Sequence, residues 1–241
     1  MPFLRVKERS NKKVMKQLVI ILIFLFSQTA HAQINYELSK AMDFFQTQKM
    51  FSGNNMLTEL DIEGSPYFTQ EFISGSVFTS SKVQYQDVPL RYNIYNDEMQ
   101  FKSPDGAIFA IDAPEIIEKV TFGNYTMEYI PYVNSKKIRR GFFILLEEGN
   151  AKLYARPNIE YKAPEPAAPY KEPEPAKFIE KPQTYYIRIG MEAAQKLESK
   201  KDVEAVFPDH QKEIADFIKK NKVKHRDEDK LKELVAFYNS L

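Results

Sequence analysis

The chain has 241 residues, with 34 Lys and Arg against 33 Asp and Glu, and it contains no cysteine. A hydrophobic fraction of 43% is enough to build a packed core, which excludes a wholly disordered chain. The lack of cysteine excludes disulfides, thiolate catalysis and cysteine-ligated metal. The balanced charge gives no general attraction to nucleic acid, so we expect no nucleic-acid partner.

Residues 1–32 have the three parts of a secretory signal peptide. Six Lys and Arg precede an unbroken apolar run of nine residues at 18–26, and the small residues Ala30 and Ala32 follow, with Gln33 next. The run is well short of the roughly 20 residues that span a bilayer, which favours cleavage after Ala32 over an uncleaved anchor helix. Translation starts at Met1 or at Met15. We therefore predict an exported chain with no membrane span after cleavage, in the periplasm or else at the cell surface or outside the cell.

Residues 33–72 are predicted to lead into the folded body. Leu38, Met42 and Phe45 recur at helical spacing, which predicts a short helix at 36–49. Gly53 and its neighbouring asparagines are typical of a helix end.

Residues 73–189 consist of short runs rich in Val, Ile, Tyr and Phe, separated by turn residues. Gly123-Asn124 is a two-residue hairpin signal, and further turns are predicted at 96–97, 103–106 and 148–150. About nine or ten strands at roughly 8–12-residue spacing favour an antiparallel, curved β-meander. Alternation along residues 184–189 predicts a sheet with one dry face and one wet, aromatic-rich face.

Residues 157–182 hold seven of the 14 prolines. Because proline has no N–H to donate, we predict a proline-rich excursion that cannot pair as a central strand. Such a segment serves either as a solvated loop or as a spacer or ligand for a proline-binding partner.

Residues 190–241 are predicted to form a small C-terminal helical region, which makes the fold class α+β. The first helix is predicted at 191–200, and a second at 211–220 with Asp209 as its N-cap. A last helix should open at Asp227 and carry an apolar stripe.

Several of these segments resemble an uncharacterised family of signal-peptide-bearing exported proteins of Gram-negative bacteria. The similar segments are Gly64-Ser-Pro-Tyr67, residues 87–99, Phe207-Pro-Asp-His210, residues 217–222 and Tyr238-Asn-Ser-Leu241. The resemblance implies export and a shared architecture, and it supplies no catalytic residues.

A search for chemistry identifies no catalytic, cofactor-binding or metal residues. His210 and Glu213 lie one helical turn apart, but a zinc site needs three or four ligands. Acidic residues at strand ends could form a carboxylate pair for glycoside hydrolysis, although turns also select them; they are Asp87, Asp97, Glu98, Asp105 and Asp112.

A basic cluster at 136–140 is the predicted partner surface. It contains Lys136, Lys137, Arg139 and Arg140, and could contact an anionic head group or an acidic partner, or simply be a solvated hairpin loop.

The sequence thus predicts an exported, non-catalytic binding or scaffold protein of the cell envelope with an envelope protein as partner. One alternative is a carrier that holds a lipid or another apolar ligand in a groove between sheet and helices. A second is an envelope hydrolase that uses paired carboxylates.

Overall fold

Ten strands form one sheet in the computed structural model, which describes residues 62–165 and 173–241. The predicted signal peptide, including Ala30, Ala32 and Gln33, and the predicted helix at 36–49 lie outside the described residues. The strands are β1 (Ile73–Thr79), β2 (Gln84–Asn93), β3 (Glu98–Lys102), β4 (Ile108–Ala110), β5 (Ile117–Phe122), β6 (Tyr125–Asn134), β7 (Lys137–Glu147), β8 (Ala151–Lys162), β9 (Lys177–Ile189) and β10 (Gln195–Lys196).

The sheet order is β10-β9-β8-β7-β6-β5-β1-β2-β3-β4, and every neighbouring pair is antiparallel. Two meanders, β1 to β4 and β5 to β10, join where β5 returns beside β1. The sheet curls into a half-barrel, so the predicted curved antiparallel sheet is confirmed. The predicted Gly123-Asn124 turn is also confirmed, since it connects β5 to β6 with Phe122 opposite Tyr125.

Three C-terminal helices follow the sheet: α1 (Lys200–Ala205), α2 (Gln211–Asn221) and α3 (Glu228–Asn239). The broad α+β class therefore holds, although the helical share is small. Asp227 caps α3 as predicted, because its side chain accepts a hydrogen bond from the N–H of Lys230. Residue 210, rather than the predicted Asp209, occupies the N-cap position of α2. Asp209 instead accepts a hydrogen bond from the Tyr238 hydroxyl at 2.6 Å.

The helix predicted at 191–200 is wrong. This stretch contains β10, and α1 starts only after Ser199, whose side chain forms a capping box with Asp202. Backbone partners on the sheet replace the bonds of a helix: Ala194 donates to the carbonyl of Pro131 at 2.9 Å and accepts from the N–H of Val133 at 3.0 Å.

The proline-rich segment also departs from expectation, because both of its ends pair as strands. β8 and β9 remain in register from Asn158 opposite Lys181 to Lys162 opposite Lys177. The pairing is irregular between Arg156 and Asn158, at Pro157. A proline placed at such an irregularity does not break a regular ladder. The prediction did not allow for a proline placed at an irregular position between two paired strands.

Both faces of the sheet at β6 to β9 are buried, which contradicts the predicted wet, aromatic face. One face packs against the helices within the larger core cluster. The other carries a second cluster made of Ile130, Tyr132, Phe143, Tyr154, Tyr186 and Ala194. The alternation correctly assigned Tyr185 and Tyr186 to opposite faces of the sheet. It could not show that the segment around residue 194 folds back onto β6 and covers the second face.

Residues 63–68, the strap segment, connect β9 with β2. Glu63 donates to the carbonyl of Ala176 at 2.9 Å and accepts from the N–H of Phe178 at 2.8 Å. Phe68 donates to the carbonyl of Tyr92 at 2.9 Å. The strap segment therefore joins two strands that are far apart in the sheet order.

Candidate functional site

The basic hairpin, residues 134–140, is formed by the tight turn between β6 and β7. Ser135 and Lys136 have φ values of 50° and 65°, as a two-residue hairpin turn of type I′ requires. Asn134 lies opposite Lys137, and the β6–β7 pairing continues without interruption to Met127 opposite Ile144. Pairing of β7 with β8 starts only at Ile144 opposite Ala155. The tip therefore extends beyond the ladder that β7 forms with β8.

Every residue of the basic hairpin is exposed to solvent. The most exposed apolar side chain in it is that of Ile138, at 72%. Alternation along the strand places Lys137 and Arg139 on one face of the hairpin and Ile138 and Arg140 on the other. Positive charge is thus presented on both faces.

The four cations of the basic hairpin form no ion pair with any carboxylate in the described parts of the chain. Arg140 lies over the ring of Tyr129, with 5.6 Å between the guanidinium carbon and the ring centroid. That contact orients one guanidinium and leaves its charge unneutralised. The structure thus brings all four predicted surface residues together.

Asp97 fixes the base of the basic hairpin. Its carboxylate accepts hydrogen bonds from the N–H of Phe142 at 3.1 Å, from the Tyr92 hydroxyl at 2.8 Å and from Arg156 at 2.9 Å. Burial, followed by the negative charge of Asp97, raises the pKa of Tyr92 well above its usual value. The hydroxyl therefore stays protonated and keeps donating.

Gly141 makes room for this arrangement. A Cβ atom at position 141 would lie 2.5 Å from Oδ2 of Asp97 and 3.3 Å from Nη2 of Arg156. The guanidinium of Arg156 also lies over the rings of Tyr132 at 4.7 Å and Phe143 at 5.3 Å. Sequence reasoning missed the pair of Asp97 and Arg156, because 59 residues separate its members and no local pattern connects them.

The other predicted acids occupy ordinary structural positions. Asp105 accepts a hydrogen bond from the Ser103 hydroxyl, which lowers the pKa of the Asp105 carboxyl. Asp87 and Asp112 are exposed. A further acid, Glu128, is buried and accepts from the Tyr154 hydroxyl at 2.5 Å and from Lys152 at 2.9 Å. Within residues 62–165 and 173–241, no buried side-chain nitrogen or oxygen lacks a hydrogen-bond partner.

The described histidines belong to no metal-binding cluster. His210 is exposed, and its ring lies 6.3 Å from that of Tyr238. Across the described part of the chain, no group of three or more His, Asp or Glu side chains could hold a metal ion. In the same part, no helix has the length and apolar character needed to cross a membrane.

The basic hairpin combines exposure, unpaired charge and a fixed base, and it is therefore a candidate docking site. Comparison with protein-family models, with curated proteins and with solved structures finds no match for the chain.

Proposed function

We propose that this chain is an exported, non-catalytic binding protein of the bacterial envelope that docks an acidic protein partner through the basic hairpin. The observation that carries the proposal is the set of four exposed, unpaired cations on a hairpin with an anchored base. Because Asp97 and Arg156 fix the base, the hairpin keeps its shape before the partner arrives, and less conformational entropy is lost on binding.

Charge distribution favours an acidic partner. Residues 33–241 contain 28 Lys and Arg and 32 Asp and Glu, so the basic hairpin is a local positive site on a mildly acidic chain. Exposed ion pairs contribute only about 0.2–1 kcal/mol each, so the four cations mainly guide association and orientation. We expect binding to weaken with added salt, since the Debye length shortens from about 10 Å at 0.1 M to about 3 Å at 1 M.

The hairpin's side chains favour a protein partner over a lipid surface. Binding in a membrane interface requires a broad apolar face opposite a charged one. Here the cations occupy both faces, and Ile138 is the one apolar side chain between residues 134 and 140.

The packing between sheet and helices also supports surface docking. Leu153 and Ile187 from the sheet and Leu231, Leu234 and Val235 from α3 are all fully buried in one continuous core cluster. These side chains fill the space in which a carrier would hold an apolar ligand.

The signal-peptide pattern at 1–32 supports the exported location. The resemblance to exported proteins of Gram-negative bacteria is in keeping with it. The predicted cleavage between Ala32 and Gln33 can be checked by mass spectrometry of the protein recovered from the periplasmic fraction.

Photo-crosslinking in intact cells tests the docking surface. A photoreactive amino acid replaces Ile138, and the same amino acid at Ile116, which is 52% exposed on the turn before β5, serves as the control. We expect a discrete protein adduct from position 138 only. The charge reversal Arg139→Glu with Arg140→Glu should abolish it, whereas Lys219→Glu with Lys220→Glu, an equal charge change on α2, should leave it intact.

Identification of the adduct decides the class of partner. Support requires that the crosslinked segment of the partner be acidic and that exchanging its acids for Lys restore the adduct of the charge-reversed chain. An adduct to lipid, an adduct that survives charge reversal, or an uncleaved chain in the cytosolic fraction would each contradict the proposal.

A further inference from the structure

A second basic surface lies at the end of α2 and in the turn to α3. Residues 219–226 contain five Lys and Arg together with His225, and no acid. Lys219 and Lys220 lie in the last turn of α2, where cations complement the helix dipole, and the high density of positive charge continues through the turn. We call residues 219–226 the basic turn.

The backbone of the basic turn is firmly held. Lys222 adopts a left-handed conformation with φ of 55°, and its N–H donates to the carbonyl of Ile218. The N–H of Val223 donates to the same carbonyl at 3.1 Å, and the Val223 side chain is only 2% exposed. With Val223 buried, the turn directs its cations outward: Lys219, Lys220, Lys222, Lys224 and Arg226 are all exposed.

These five cations are unneutralised in the described parts of the chain, since no salt bridge or hydrogen bond to a carboxylate includes them. Nearby lysines differ in this respect. Lys230 pairs with Glu233 at 2.7 Å, and Lys232 with Glu228 at 2.6 Å. Lys230 and Lys232 of α3 are thus paired with glutamates of the same helix, whereas the cations of the basic turn have no such partners in the described residues.

Arg226 lines an open groove of about 530 Å³ between the basic turn and the outer part of the β8–β9 hairpin. The opposite wall comes from the strands beside the irregular pairing at Pro157. The polar side chains of that wall are Asn158, Glu160, Lys181, Gln183 and Thr184.

The wall offers hydrogen-bonding groups with little net charge. The Glu160 carboxylate is bound by Lys181 at 2.7 Å, so its negative charge is offset. The amide nitrogen of Gln183 already donates to Tyr185 and Glu228, which fixes the orientation of that side chain. Lys181 is engaged by Glu160, so Arg226 is the cation of the groove lining that no carboxylate in the described parts of the chain pairs with.

We propose that this groove binds the phosphate groups of a soluble phosphorylated ligand. Arg226 supplies the planar donor fork that matches phosphate oxygens, and the other cations of the basic turn raise the local positive potential. The Thr184 hydroxyl and the Asn158 amide supply neutral donors on the opposite wall. The groove is too open to retain an apolar ligand by burial.

A soluble ligand is favoured over a lipid head group because the basic turn has no exposed apolar side chain. Val223, the one aliphatic residue among 219–226, is buried in the core. A stable membrane contact combines basic residues with inserted apolar groups.

Calorimetric titration of the purified protein with inorganic tripolyphosphate at low ionic strength tests the proposal. The variant Lys224→Gln with Arg226→Gln should bind about tenfold more weakly, the equivalent of roughly one charge-assisted hydrogen bond. The matched control, Lys102→Gln with Lys212→Gln, removes the same charge from two exposed lysines outside both basic surfaces and should change affinity less than about twofold. Thr184→Val keeps the β-branched shape and should weaken binding measurably.

Three results would overturn the proposal. One is equal weakening by the two charge-matched variants, which would indicate attraction by overall charge. Another is unchanged binding by Thr184→Val, which would place the anion outside the groove. The third is binding to phosphatidylglycerol vesicles without binding to tripolyphosphate, which would identify a membrane surface as the ligand. The altered cations are exposed, and unchanged circular dichroism should confirm that all variants are folded.

Discussion

At the scale of single residues, the contact between Asp97 and Arg156 over Gly141 connects turns and strands distant in sequence. We expect Gly141→Ala to cost about 2 kcal/mol or more in the free energy of unfolding, because the new methyl group displaces a carboxylate held by three donors. Asp97→Asn should cost about 2 kcal/mol, since Asn tolerates the left-handed backbone of residue 97 but leaves the partly buried Arg156 without its counter-charge. Urea unfolding of each variant measures both costs.

A variant that carries both Gly141→Ala and Asp97→Asn tests whether the two substitutions act on the same contact. If both substitutions disrupt the same contact, their combined cost is smaller than the sum by about 1 kcal/mol or more. Strict additivity would show that Gly141 is needed for some other reason.

At the scale of elements, Asn239 at the end of α3 attaches the helices to the sheet. Its side chain accepts from the N–H of Ala151 and donates to the carbonyl of the same residue, both at 2.8 Å, so it acts like a short extra strand. Ala151 is fully buried, so Asn239→Ala leaves two backbone groups without partners and should cost about 2 kcal/mol. Hydrogen exchange at the Ala151 amide should accelerate in parallel.

Ser240 is the matched control for Asn239. Its hydroxyl donates to the carbonyl of Phe237 at 2.6 Å within the exposed end of the same helix. Ser240→Ala should cost no more than about 0.5 kcal/mol and leave exchange at Ala151 unchanged. A comparable loss in both variants would mean that Asn239 acts only by stabilising the helix end.

A turn, a helix start and a short basic run that depend only on neighbouring residues were predicted correctly from the sequence. Gly123-Asn124 and Asp227 identified a hairpin and a helix start, and the run at 136–140 identified the basic hairpin. The errors involve partners distant in sequence: Ala194 bonds to β6, Tyr238 takes Asp209 away from capping, and Pro157 lies at an irregularity in the β8–β9 pairing. The rules of alternation and capping use only residues near one another in sequence, so they could not identify these partners. The Asp97 contacts and the groove beside Arg226 were beyond prediction for the same reason.

At the scale of the whole molecule, three buried tyrosines make stability sensitive to alkaline pH. Tyr92, Tyr154 and Tyr238 each donate a hydrogen bond to a carboxylate, that of Asp97, Glu128 and Asp209 respectively. Burial is the largest cause that raises the pKa of each hydroxyl, and the accepting carboxylate adds to it; the pKa of Tyr238 rises to about 12. In the unfolded chain the same hydroxyls titrate near pH 10.

The sign of the effect follows from these pKa values. Below about pH 10 both states are protonated, and the contribution of the tyrosines to stability is complete. Above it the unfolded chain loses protons that the folded chain retains, so stability falls by about 1.4 kcal/mol per pH unit for each such tyrosine. For Tyr238 the loss extends from about pH 10 to about 12.

Tyr238→Phe should therefore lower the free energy of unfolding at neutral pH and make the alkaline decline in stability shallower, as measured by urea unfolding across this range. Tyr95→Phe, at a side chain that is 52% exposed, should keep the wild-type slope. An unchanged slope in Tyr238→Phe would mean that groups other than this buried tyrosine control the alkaline transition.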